Sequence, residues 1–239
     1  MRCGGRNNCI LLIDKKNQIA YDKIKNNIVG GPSIIFHRYH EKDKTKIQKI
    51  HYFGINQWGY YADGKVVKRI IGYDANALYL YCMMQKMPCG KLVNIDVTGL
   101  NYGRIWEHIW DENSIGAAEV DIEVPEQYWQ YFCEFPPFFI KLEYTPNDVY
   151  SKHIANKLDL KLKPEKKLVS VFEAKKILLL TPVLRWYLKH GCVIKNFYSY
   201  ICPVDNDSMP ELGNGKSVFT AFTDYVIKKL DKQQRKMIH

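Results

Sequence analysis

Apolar residues along the chain switch between a spacing of two and a spacing of three to four, and the switches set out an expected order of elements. The patch from Cys9 to Ile13 has strand character. Gly30-Gly31-Pro32 predicts a turn that feeds a second strand through Ile34, Ile35 and Phe36. A charged turn over residues 42–49 leads into Ile50 to Phe53. Val66, Val67, Ile70 and Ile71 then form an apolar run that predicts a buried strand, and a helix-forming run from Ala77 to Met87 follows before Pro88 and Gly90 stop it. Residues 91–113 read as loop-rich, with Trp106 and Trp110 at the spacing a helix gives to core residues. Ala117 to Pro125 alternates like a strand and puts Asp121 and Glu123 on one face.

The second half continues the pattern. Phe132 to Leu142 is aromatic and proline-bearing, as a loop and strand packed on a sheet would be. Lys152 to Lys167 is strongly basic, with Leu158, Leu160 and Leu162 at strand spacing. That stretch reads either as a hairpin carrying Lys towards a polyanion or as a solvated edge strand guarded by Lys. Leu168 to Phe172 and Ile177 to Leu180 predict two short buried strands. The clearest helix runs from Thr181 to His190, with Thr181 as cap, Pro182 in the first turn and Gly191 just beyond the end. Cys192 to Ile201 alternates as a strand. Ser217 caps a last helix whose apolar positions are Val218, Phe219, Phe222, Val226 and Leu230. Strands and helices in this order predict an α+β fold.

Composition narrows the function classes. The chain has 239 residues, 46% of them hydrophobic, so a packed core and not disorder is expected. The net charge of +10 is unevenly placed. Residues 1–69 hold 14 Lys and Arg against 5 acids, residues 70–151 hold 4 against 12, and residues 152–239 hold 17 against 8. Two basic flanks point to a polyanionic partner such as DNA, and the acidic middle suits a metal-loaded site or a solvated face. The 7 Cys include no Cys-x-x-Cys pair, which reads as reduced thiols in an intracellular protein. The sequence shows no signal-peptide pattern and no apolar run long enough to span a membrane, so no membrane role is expected.

The candidate chemistry centres on Ile70-Ile71-Gly72-Tyr73-Asp74-Ala75-Asn76-Ala77-Leu78-Tyr79. A carboxylate at the end of a buried strand is held rigidly, and a helix starting beside it points unpaired N–H groups and a positive dipole end at the same space. Phosphates and divalent metals favour such a site. Tyr79, one helical turn beyond, could lie over a sugar bound above the carboxylate. An Asp before an apolar helix is also the commonest form of N-cap, with no chemistry attached.

The longer string Asp74-x-Asn76-x-Leu78-Tyr79, followed by Met87-Pro88-x-Gly90, resembles motif A of family B DNA polymerases, in particular the protein-primed group of phages, linear plasmids, adenoviruses and related mobile elements. The resemblance implies that Asp74 is a catalytic carboxylate and metal ligand. It implies that Tyr79 is the steric gate against a ribose 2′-OH, with Leu78 and Asn76 beside the nucleotide. Ala77 and Leu80 stand where the family has Ser and Pro. The glycines of Ile28-Val29-Gly30-Gly31 match a Tyr-x-Gly-Gly turn that contacts template DNA in that family, which implies DNA contact at Gly30, Gly31 and Arg38. The order strand, helix, His190-Gly191, strand also resembles the mobile-element branch.

Other features do not extend the match. Asp121-Ile122-Glu123 resembles the first exonuclease motif, but it follows the Gly-Gly turn and motif A where the family's exonuclease precedes both, so a strand with one wet face is the reading retained. Asp205-Asn206-Asp207-Ser208 resembles the second catalytic turn, yet Pro203 and Pro210 flank it and favour a surface loop. The fingers motif Lys-x-x-x-Asn-Ser-x-Tyr-Gly and the turn Tyr-x-Asp-Thr-Asp do not occur.

The expectation is therefore a fragment of a DNA-directed DNA polymerase with an incomplete α+β fold: a partial palm, with a mixed sheet and flanking helices, plus an insertion. Residues 1–65 would form a pre-palm region with the Gly-Gly turn, 66–150 the palm with motif A, and 151–239 a basic insertion and palm segment leading towards the fingers. The resemblance implies Mg²⁺ as cofactor, at a two-metal site of which one ligand segment is present, and implies a DNA primer-template, deoxynucleoside triphosphates and a priming terminal protein as partners. The alternative is a non-catalytic nucleic-acid-binding remnant of a mobile element.

Overall fold

In a computed structural model the described residues are 18–27, 39–55, 57–74, 77–88, 91–97, 101–147, 149–204 and 219–237. In chain order they form α1 (Gln18–Asn27), β1 (Lys46–Gly54), β2 (Gln57–Val66), α2 (Leu78–Met84), β3 (Lys91–Asp96), α3 (Asn101–Trp110) and β4 (Ala117–Glu123). A 3₁₀ turn (Glu126–Tyr128) then leads into α4 (Trp129–Phe132), β5 (Phe138–Tyr144), α5 (Val149–Lys157), β6 (Glu165–Val171), β7 (Glu173–Leu180), α6 (Thr181–Lys189), β8 (Val193–Val204) and α7 (Thr220–Met237). The fold is α+β, as expected. Its strands make a four-stranded sheet and two ribbons, and every pairing is antiparallel where a mixed sheet was expected.

The sheet has the order β3-β8-β4-β7. β3 and β4 both run antiparallel to β8, so they are parallel to each other, with α3 between them in sequence; β7 and β8 flank β4 in the same way, with α6 between them. The two βαβ units interleave, one drawn from residues before 150 and one from residues after it.

Side-chain alternation along β4 sorts the layers. Ala118, Val120 and Ile122 face the main core, where Ile105 and Ile109 of α3 and Leu184 of α6 are buried. Ala117 and Glu119 face the other way, onto α1, where Ala20 is buried against Ala117, Leu178 and Ile201. Lys23 of α1 meets Glu119 at 2.6 Å and also donates to the Ser199 hydroxyl at 2.8 Å. Each fully buried Ile or Leu contributes about 1.5–3 kcal/mol through apolar area removed from water.

Two buried polar devices join the layers. Arg185 of α6 donates to the carbonyls of Ile109 at 2.8 Å and Asp111 at 2.6 Å, so a cation satisfies the orphan carbonyls at the C-terminal end of α3. Tyr200 of β8 meets His108 Nδ1 at 2.5 Å, and Gly116 leaves the room for it: a Cβ there would lie 2.3 Å from the Tyr200 hydroxyl. Gly191, at φ +88, ends α6 as the sequence indicated, and the Cys192 N–H reaches back to the Tyr187 carbonyl at 3.0 Å. Thr181 differs from its expected role. Leu180 occupies the cap position, and the Thr181 hydroxyl accepts from Gly116 N–H and donates to the Ser114 carbonyl, joining the start of α6 to the loop before β4.

Several expectations are corrected. Residues 91–113 are not loop-rich, because β3 and α3 lie there; Trp106 packs on the core, while Trp110 is exposed. Leu158, Leu160 and Leu162 are in coil and exposed, and the basic stretch that contains them begins in α5. Of the strands expected in the second half, β8 starts within one residue of its expected span, whereas β6 and β7 begin three and four residues before the apolar runs at Leu168 and Ile177.

The β1–β2 ribbon sits on the 3₁₀ turn and α4. Tyr52 donates from its N–H to Gln130 at 2.9 Å and from its hydroxyl to Glu126 at 2.5 Å. Trp58 stacks on Phe172 with ring centroids 5.7 Å apart, and Trp129 completes the cluster. Among the described residues no helix is long and apolar enough to cross a membrane.

Candidate nucleic-acid interface

The segment carrying Asp74 takes a different form from the one its sequence suggests. β2 stops at Val66, and residues 67–74 adopt no regular structure. The expected buried strand over Val66 to Ile71 is absent: Ile70 is 75% exposed and Tyr73 is 92% exposed. The reason is the lack of an edge. The Val67 N–H makes the last rung, to the Thr45 carbonyl at 2.9 Å, and the preceding chain turns at residues 42–44, so among the described residues no strand pairs with those that follow.

The helix starts within one residue of the expected run from Ala77 and ends three residues before Met87. α2 spans Leu78–Met84, and its cap position is Ala77 at φ 53, a left-handed conformation with no side-chain cap hydrogen bond. Asp74 lies three residues before that cap, so it is not the N-cap. Its side chain is exposed, with no hydrogen bond or ion pair to another described residue. Tyr79 is 90% exposed and Leu78 is also exposed, both on the first turn of α2, which packs on α7. Asn76, Gly30, Gly31 and Arg38 lie outside the described residues, as do Asp205 and Asp207.

Among the described residues no three His, Cys, Asp or Glu side chains come together in a way that could hold a metal ion. Asp74 therefore offers a single carboxylate, which does not make the two-metal site that the resemblance implies. The Asp121 and Glu123 pair is committed elsewhere. Asp121 accepts from Tyr198 at 2.6 Å, Asn196 at 2.7 Å and the Lys176 N–H at 2.8 Å, and Glu123 pairs with Lys195 at 2.7 Å. The Tyr198 hydroxyl first, and then Asn196, hold the Asp121 carboxyl below the usual carboxylate range.

Cationic chemistry is collected on the β5–β6 side. Residues 152–176 carry 8 Lys against 3 acids. Lys152, Lys157, Lys161, Lys163, Lys166 and Lys167 are all exposed there. Lys167 pairs loosely with Glu165 at 3.5 Å and Lys175 with Glu173 at 3.6 Å, and such exposed pairs hold their charges weakly. A strip of this kind can neutralise phosphates with release of counterions.

One feature had no counterpart in the sequence reading. A cavity of about 720 Å³ lies between the α4–β5 connection and α6, lined by Phe132, Phe135, Phe139, Trp186 and Tyr187, with Glu134 as its acidic member. His190 stacks on Trp186 at 3.9 Å beside it. The aromatic run from Phe132 and the Pro182 to Trp186 face of the last predicted helix but one carried its signal, but nothing in either indicated that they would meet. Its aromatic walls and acidic member suit a planar apolar group and disfavour a triphosphate.

No protein-family model, no curated protein and no solved structure matches the chain.

Proposed function

We propose that the chain is a segment of a DNA-directed DNA polymerase of the protein-primed family B type, carrying the metal-binding carboxylate Asp74 and the steric gate Tyr79. The observation that carries this reading is the string Asp74-x-Asn76-x-Leu78-Tyr79 with Met87-Pro88-x-Gly90, in register with Gly30-Gly31 before it and His190-Gly191 after it. The exposure of Asp74 and Tyr79 supports it, because among the described residues neither side chain has a hydrogen bond or ion pair that would account for its presence. The partners of such an enzyme are a primer-template, deoxynucleoside triphosphates and a priming terminal protein. Two-metal transfer with Mg²⁺ needs carboxylates from at least two segments. Asp74 supplies one, so the isolated chain binds DNA through its Lys-rich flanks and does not polymerise.

A second reading is a nucleic-acid-binding remnant in which Asp74 has no role. The exposed Lys152–Lys167 strip favours it. Equilibrium binding of a deoxynucleoside triphosphate with Mg²⁺ separates the two. Under the polymerase reading the purified chain binds the nucleotide, Asp74→Asn removes that binding, and Tyr79→Ala relaxes the preference over the ribonucleotide. If Asp74→Asn changes nothing while DNA is still bound in a salt-dependent way, the remnant reading stands. Primer extension by the wild-type chain, abolished by Asp74→Asn, would overturn the expectation that it is inactive alone. Absence of DNA binding at low salt would sink both readings.

A further inference from the structure

The β1–β2 ribbon has one face anchored and one face bare. Tyr52 and Trp58, paired across the ribbon, point inward to Trp129. The opposite face carries Lys49, His51, Phe53 and Tyr61, since alternate residues share a face and Lys49 pairs with Tyr61 while His51 pairs with Gly59. Their rings form a row. The His51 centroid lies 6.2 Å from Tyr61 and 4.7 Å from Phe53. Phe53 is 59% exposed and Tyr61 56% exposed, so both rings are open to solvent.

Gly59 is what flattens this face. A Cβ at Gly59 would lie 3.0 Å from the Phe53 ring, so the ring settles over the glycine instead of standing away from it. At the open end of the ribbon the chain is cationic. Residues 39–69 hold 7 Lys and Arg against 3 acids, and Lys49 stands beside Tyr61 on the bare face itself. A row of rings with a cation at one end complements a strand of unpaired bases with a phosphate backbone. It does not fit a duplex, whose base faces are already stacked on each other. An apolar protein partner would leave Lys49 and His51 covered and unmatched.

We infer that the bare face of the β1–β2 ribbon is a stacking platform for single-stranded DNA, with Phe53 and Tyr61 taking bases and Lys49 a phosphate. The inference rests on the polynucleotide partner of the proposed function, but it makes no use of Asp74 or of nucleotidyl transfer. The inward contacts of Tyr52 and Trp58 hold the ribbon in place, so the platform is ordered before the strand arrives.

The test uses the full 239-residue chain and a labelled oligodeoxythymidylate, with a duplex of the same length as competitor, followed by fluorescence anisotropy at several salt concentrations. Phe53→Leu and Tyr61→Leu keep apolar bulk but remove the ring, and each is expected to weaken single-strand binding roughly five- to a hundredfold. Tyr61→Phe keeps the ring and is expected to bind like the wild type. Lys49→Ala should lower the slope of log affinity against log salt by about one. Unchanged affinity in both ring-deleted variants, or tighter binding to the duplex than to the single strand, overturns the inference. A variant that fails to fold is recognised by its circular dichroism, and Tyr61→Leu against Tyr61→Phe then decides. Asp74→Asn run alongside keeps the two proposals apart. Loss of nucleotide binding there with intact ring dependence supports both, whereas intact ring dependence with no effect of Asp74→Asn supports the platform and sinks the polymerase reading.

Discussion

β4 and the stretch from Val67 to Met84 have exchanged the environments their compositions suggest. β4 carries three carboxylates in seven residues and is a central, deeply buried strand. The later-named stretch carries Ile70, Ile71, Leu78, Tyr79 and Tyr81, and all five are exposed. Partners make the difference. β4 is hydrogen-bonded on both sides by β7 and β8, and each of its carboxylates meets a cation or a donor: Glu119 with Lys23, Asp121 with Tyr198 and Asn196, Glu123 with Lys195. Beyond Val67 no neighbouring strand among the described residues satisfies the backbone. Burial here follows the supply of hydrogen-bond partners more closely than it follows side-chain hydrophobicity.

Core truncation gives the largest contrast. Ile109→Ala removes a fully buried side chain between α3 and the sheet and is expected to cost about 2–5 kcal/mol, whereas Ile71→Ala should change stability by no more than about 0.5 kcal/mol. Urea denaturation of the two variants checks both values. A cost at Ile71 similar to that at Ile109 would mean that the segment is packed in solution, and the comparison would fail.

What was readable in the sequence divides along the same line. α6, β8 and the second half of β7 were legible because apolar spacing, Pro182 and Gly191 act locally and agree with the tertiary environment. Asp121 was legible as one of a same-face pair, but its partners Asn196 and Tyr198 lie on another strand, and no spacing rule within β4 could name them. The strand expected before Asp74 failed for a related reason: hydrophobicity recorded a capacity to be buried, but among the described residues no pairing edge meets it. The fold class was therefore readable, whereas the candidate site was readable only as a motif. The layout of a two-metal centre around it was not found among the described residues.

Alkaline titration sharpens the contrast with a smaller effect. Burial pushes the thiols of Cys192 up to about 11 and Cys202 up to about 12, and the Tyr187 phenol up to about 12, with Tyr200 raised as well. Raised pKa values in the folded state mean that this stabilisation is complete below the ordinary thiol value near 9 and is lost as pH climbs through the folded values. By pH 10 the two thiols together are expected to cost roughly 3 kcal/mol. Denaturant midpoints measured from pH 8 to pH 11 should fall accordingly, and Cys202→Ala should make the fall shallower. A flat profile would show that these groups are hydrated and not buried as they are here.

The smallest expected effect on stability concerns the residue on which the functional proposal depends. Asp74 caps no helix, pairs with no described residue and is exposed, so Asp74→Asn should leave the urea midpoint unchanged within about 0.5 kcal/mol. A side chain with structural duties shows them as a loss of stability, and β4 would show such a loss at Asp121→Asn, most of all at neutral pH where its depressed carboxyl is ionised. If Asp74→Asn also destabilises the fold, the carboxylate is holding the chain together and its place in a motif needs no catalytic explanation. If it does not, while nucleotide binding disappears, then stability has been separated from ligand recognition at that position. Asp74 would then be carried for the ligand alone, as a residue in an active-site motif should be.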